Sequence, residues 1–176
     1  MRVGVGRAAF IGTVLVVVAL GCSSESAPAQ ATVTVVPCEK LRSFLPNLPG
    51  WARETTPQCE TDTAESVSRV QVDYDKGISR MSVEIMDSSK RPEVQAPLSA
   101  MVESTDAEAT AQGLIKTKIQ DFPAVEEWTP VSGHGEISIL VADRFMLRLV
   151  GSTVPDIATV REAAEKIDLK GLASVH

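Results

Sequence analysis

The chain has 176 residues, of which 17 are basic and 23 acidic, for a net charge of −6. A surface of that sign repels phosphate backbones and anionic headgroups, and no run of basic residues is longer than Lys90-Arg91, so nucleic-acid binding drops out as a function class. Aromatic residues make up only 4% of the chain, so a core must rest on Val, Ile, Leu and Met, in what reads as one domain after an N-terminal leader.

That leader is legible residue by residue. Arg2 and Arg7 precede an uncharged run from residue 8 to 20, and Gly21-Cys22 then leads into Ser23, Ser24 and Glu25. A positive start, a short apolar stretch and a small residue before a cut match an export signal over residues 1–21, and the stretch is too short to span a bilayer. Ala19-Leu20-Gly21-Cys22 resembles the lipobox of bacterial lipoproteins. The resemblance implies cleavage before Cys22 and acylation of its thiol and new amine; the other reading is an ordinary secretory signal with an incidental Cys. Loss of Arg2 and Arg7 leaves 15 basic against 23 acidic residues, a net charge of −8. Two or more acyl chains hold a protein at a membrane where one holds it only marginally. The expected location is therefore the bacterial cell envelope, lipid-anchored and facing the periplasm, or the cell exterior where there is a single membrane.

Residues 22–35 are rich in Ser, Ala and Thr and read as a lipidated flexible tether, although Val33, Val35 and Val36 could also pair as an edge strand. An α+β envelope domain is then expected over 36–176. With Cys22 lipidated, Cys38 and Cys59 remain as one possible disulfide pair in an oxidising compartment, the alternative being two free thiols. The segment between them carries Pro46, Pro49 and Pro57 and reads as a loop after a short helical turn.

Alternation sets the next elements. Val70, Val72 and Tyr74 oppose Arg69, Gln71 and Asp73, and Met81, Val83 and Ile85 oppose Ser82 and Glu84, which predicts a hairpin turning at Lys76-Gly77. Pro92 and Pro97 punctuate a loop, and the Ala, Met and Glu content of residues 98–112 predicts one helix capped by Gly113. Strands follow at 114–120 and 124–128, then a loop at 129–135. Residues 136–150 are apolar on both faces and predict two central strands around a tight turn at Ala142-Asp143-Arg144. Pro155-Asp156 opens a last helix with Ile157, Val160, Ala164 and Ile167 as its apolar stripe. The predicted fold class is α+β, a single domain with a twisted antiparallel sheet of about six strands and two helices packed on one face.

Leu48-Pro49-Gly50-Trp51, Val83-Glu84-Ile85-Met86-Asp87, Asp121-Phe122-Pro123-Ala124, Val141-Ala142-Asp143-Arg144-Phe145 and residues 163–169 give the chain a layout similar to small, mostly uncharacterised periplasmic α+β lipoproteins. These are structural words, not chemical ones. A looser likeness to Mog1/PsbP-type sandwiches rests on element order alone.

Chemistry is sparse. Asp73-Tyr74-Asp75-Lys76-Gly77 with Glu84 resembles a calcium loop, but the Gly falls one position early and no helices flank it, so a plain hairpin turn is expected. His134 between Gly133 and Gly135 could serve as a general base with Glu136 to orient it, yet no nucleophile elbow occurs; the competing reading is a polar residue in an exposed turn. Glu126-Glu127 and Asp73/Asp75 are read as solvating the sheet, because alternating neighbours face opposite ways. Trp51 and Trp128 could line a ligand groove, against the more ordinary role of core anchors. The sequence thus points to no cofactor, no metal and no catalytic residue. It points to a non-catalytic membrane-anchored domain that binds or supports another envelope component. A carrier of a small apolar ligand is the first alternative, and an envelope hydrolase using His134 the second.

Overall fold

The computed structural model describes residues 34–53, 56–88 and 91–175. The expected signal, Cys22 and the tether as far as residue 33 lie outside the described residues.

Six long strands fall close to where the sequence predicts them. Strands β3 (Val67–Lys76) and β4 (Ser79–Asp87) form a hairpin whose turn uses Gly77 at φ 61°. Strands β5 (Leu114–Ile119) and β6 (Phe122–Thr129) turn at Gln120 and Asp121, both at positive φ, the geometry that matches strand twist. Strands β7 (His134–Val141) and β8 (Phe145–Ser152) turn at Ala142 and Asp143, again both at positive φ, closed by the Arg144 amide donating to the Val141 carbonyl at 3.1 Å.

All pairings are antiparallel, in the order β3-β4-β8-β7-β6-β5. Two shorter strands were not expected: β1 (Ala52–Arg53) and β2 (Gln58–Asp62) both pair with the outer edge of β3, which brings the sheet to eight. Neither carries the buried alternation by which a strand is recognised: β1 is two residues long, and β2 is exposed along nearly its whole length.

The helices depart from expectation in number and placement. The single helix predicted for 98–112 is two, α2 (Pro92–Glu103) and α3 (Asp106–Ala111). Pro92 starts α2 at a position where its missing N–H costs nothing, and Pro97 lies inside the helix, so the two prolines belong to the helix and not to a loop before it. Thr105 breaks the pair: its hydroxyl accepts from the Glu108 amide at 3.2 Å while the Glu108 carboxylate accepts from the Thr105 amide at 2.8 Å, a reciprocal cap that starts a new helix. The C-terminal helix is likewise two, α4 (Ile157–Ala164) capped by Asp156 and α5 (Leu169–Ala173) capped by Asp168.

Nor do the helices share one face. A short helix α1 (Cys38–Leu41), α4 and α5 cover the inner face, where Tyr74, Met81, Ile85, Ile137, Ile139, Phe145, Leu147 and Leu149 pack against Leu41, Val160, Ala164, Ile167, Leu169 and Leu172. On the outer face α2 covers β6 and β7, seating Leu98 on Val125 and Leu140. The physical reason lies in the outward positions of β6 to β8: Val125, Leu140 and Met146 are apolar, and a second, smaller patch needs its own cover.

The expected disulfide is present. Cys38 in α1 is bonded to Cys59 in β2 with Cα atoms 5.5 Å apart, tying the inner-face helix to the edge of the sheet. Closing a loop of this separation contributes about 3 kcal/mol by constraining the unfolded chain.

Candidate functional site

Helix α2 covers only part of the outer face. Beside it, over β4, β8 and β7, the sheet floor is left as a half-open apolar groove of about 220 Å³, lined by Met86, Met146, Met101, Leu98 and Pro97 and bordered by Glu84, Glu136, Ser138 and Arg148. Strand alternation builds this floor. Val83, Ile85, Leu147 and Leu149 point inward, so Glu84, Met86, Met146 and Arg148 point outward, and the register sets Met86 opposite Met146 and Glu84 opposite Arg148. From the helix side Met101 and Leu98 sit one turn apart and face the same strip.

The rim is charged and largely organised. Arg148 donates from Nε to Glu136 Oε1 at 2.7 Å and from Nη2 to Oε2 at 2.6 Å, a bidentate pair within reach of the groove. Its hydrogen bonds to Glu136 hold the Arg148 guanidinium above its ordinary pKa, and the Glu84 charge adds to this. Two carboxylates against one guanidinium leave this rim with a charge of −1.

The residues singled out by sequence fall elsewhere. His134 is not in a loop: it is the first residue of β7, half-buried, paired in register with Thr129, and the loop is confined to residues 130–133. The flanking glycines have different reasons. Gly133 adopts φ 60° and leaves no room for a Cβ, which would lie 2.8 Å from the Val154 carbonyl oxygen. Gly135 has ordinary backbone and is small for packing, since a Cβ there would meet Ile157 at 2.9 Å and the Trp128 ring at 3.1 Å.

Glu126 does not solvate the sheet. It and Glu127 do face opposite ways, but Glu126 points inward and is 2% exposed. Arg161 of α4 reaches it with Nε at 2.9 Å and Nη2 at 2.5 Å, and these bonds raise the Arg161 pKa. The pair is a fastening for α4. Asp75 accepts from Arg80 Nε at 3.1 Å, and one Asp73 oxygen is buried with no hydrogen-bond partner. The one cluster of three His, Cys, Asp or Glu ligand atoms among the described residues is Cys38, Glu39 and Cys59, whose sulfurs are bonded to each other. Trp51 and Trp128 both pack against the inner core; Trp51 also lines a half-open recess with Leu48, Pro49 and Lys76, and stands 5.7 Å beneath the Lys76 ammonium.

Sequence reasoning missed the methionines. It assigned Met to the core, yet of the four Met among the described residues only Met81 is there; Met86, Met101 and Met146 are half-buried around the groove. The available signal was an apolar residue at an outward strand position, at Met86 after Ile85 and at Met146 before Leu147.

Where the chain enters the domain is fixed by one buried cluster. Asp87 is fully buried and accepts from Arg144 Nη2 at 2.8 Å, from Arg144 Nε at 3.2 Å and from the Val36 amide at 2.7 Å. The same guanidinium donates to the carbonyls of Thr34 at 3.1 Å and Val175 at 3.2 Å. Val35 and Val36 are buried, so the end of the expected tether that lies within the described residues is packed into the domain.

Comparison with protein families, with curated proteins and with solved structures found no match to this chain.

Proposed function

We propose that this chain is a bacterial envelope lipoprotein anchored through Cys22 whose domain is non-catalytic and binds another envelope component in the groove beside α2. The observation that carries the reading is the groove itself: a half-open apolar strip on the outer face of the sheet, bordered by an organised ion pair. At about 220 Å³ it falls below the ~300–1,000 Å³ of pockets that enclose a drug-sized ligand, so it suits a small occupant or part of a larger one and does not favour the carrier of a whole lipid-like molecule. Methionine suits such a surface because its unbranched thioether chain adapts to different shapes. The hydrolase reading gains nothing from the position of His134 at the start of β7, where no Ser or Cys nucleophile is hydrogen-bonded to it among the described residues.

The test is photo-crosslinking in the native envelope, with the reactive side chain placed at Met101 in the groove or at Ile78, an exposed hairpin tip. A discrete adduct is expected from position 101 only, and its yield should fall in the Cys22→Ala protein that has lost its anchor. Equal labelling from both positions, or adducts indifferent to Cys22, would contradict the proposal.

A further inference from the structure

Most outward positions of the central strands that helix α2 leaves uncovered are polar. Ser82, Glu84, Glu136, Ser138 and Arg148 are; Val150, Met86 and Met146 are not, and the two methionines stand directly opposite each other on β4 and β8. Cross-strand partners place their Cβ atoms about 4.5–5.5 Å apart, and two flexible thioether chains on the same side of the sheet can then bring their sulfurs together. Met101 descends on this pair from α2 and packs with Met146 in the same apolar cluster. The inner core, which is much larger, uses Val, Ile and Leu with Met81 alone, whereas the groove holds three of the four described methionines, all partly exposed.

We propose that Met86, Met101 and Met146 form a three-thioether site for Cu(I) on the floor of the groove. Thioether sulfur is a soft, neutral ligand that selects Cu(I) over the hard or borderline divalent ions, which prefer oxygen, imidazole or thiolate. Cys38 and Cys59 are tied to each other, and no other His, Cys, Asp and Glu cluster of three exists among the described residues. Charge agrees as well. Three neutral sulfurs leave the ion's single positive charge uncompensated, and the rim of Glu84, Glu136 and Arg148 carries one net negative charge, with the Glu84 carboxylate opposite Arg148 and free of any hydrogen bond among the described residues. The inference rests on the groove being the binding element and adds a metal ion on its floor, beneath the envelope component proposed to dock there.

The experiment uses the protein purified in mild detergent as its host processes it. Cu(I) is titrated without oxygen against the colorimetric chelator bicinchoninate. One Cu(I) retained per chain is expected, with Met86→Leu and Met146→Leu each weakening retention at least tenfold. The triple variant Met86→Leu, Met101→Leu, Met146→Leu, which keeps apolar volume, should fall to background with an unchanged circular dichroism spectrum. Copper-edge X-ray absorption should show a shell of sulfur alone. Retention by the triple variant equal to the wild type, or a nitrogen and oxygen shell, would overturn the site. Nile red, a neutral apolar dye, separates the two readings. Dye bound in the groove with no Cu(I) retained would overturn the copper site and leave the groove standing; failure of both probes would remove the groove as well.

Discussion

Tyr74 is the only tyrosine of the chain, buried in the inner core, and its hydroxyl donates to the Pro46 carbonyl at 2.6 Å. Burial raises its pKa above 10.0, with Arg53 acting in the lowering direction. A folded-state pKa raised above the unfolded value means stability that is fully present below the unfolded pKa and is lost as pH rises through the folded one. Unfolding is therefore expected to set in above about pH 10, with tyrosinate absorbance rising together with loss of the far-ultraviolet signal. Tyr74→Phe should shift that alkaline transition upward while costing about 1–2 kcal/mol at neutral pH for the orphaned Pro46 carbonyl. Absorbance that rises to completion while the fold is intact would show Tyr74 to be less protected than described. Arg144 is the second residue of this kind. Arg144→Ala leaves the buried Asp87 carboxylate without its partner and unpins Thr34 and Val175, and a loss of about 3–5 kcal/mol in a denaturant melt is expected.

Among the elements, the contact of α4 with the sheet depends on two glycines. Gly135 and Gly151 are register partners on β7 and β8, and together they leave a dent into which Val160 packs. A Cβ on Gly151 would lie 2.7 Å from Val160 and 3.0 Å from Val154, so Gly151→Ala is expected to cost about 1–3 kcal/mol through overpacking, measured by chemical denaturation. Stability unchanged within error would mean that α4 shifts freely. Strands β3 and β4 were legible through period-two alternation and β7 and β8 through a continuous apolar run, and the turns at Gly77 and Ala142-Asp143 fell where expected. What stayed hidden has identifiable causes. Strands β1 and β2 are edge pieces whose partners lie in β3, so no local pattern marks them. The break between α2 and α3 rests on the Thr105 and Glu108 cap, a signal present in the sequence but outweighed by continuous helix-forming composition. The inward turn of Glu126 depends on an arginine 35 positions away, a distance over which single-sequence pattern is silent.

At the scale of the whole molecule, the disulfide and the Arg144 cluster hold the segment by which the chain enters the domain. Cys38 joins α1 to β2 just after the chain enters the domain, and Asp87 and Arg144 grip residues 34–36 a few positions earlier. Reduction of the disulfide should lower stability by about 3 kcal/mol and free two alkylatable thiols, visible by mass spectrometry before and after reductant. The sequence made the expectation of an anchor legible through residues 2–22 but said nothing of the binding surface, because the groove is assembled from β4, α2, β7 and β8, which meet only in the folded sheet.

Native mass spectrometry of the protein extracted from its own membranes tests the account most directly. An anchored binding domain should appear as a chain that begins at Cys22, carries acyl mass there, and holds a non-covalent occupant that is missing from a Met101→Glu variant of equal stability. A chain without acyl mass whose spectrum is the same in wild type and Met101→Glu would contradict both the anchor and the groove.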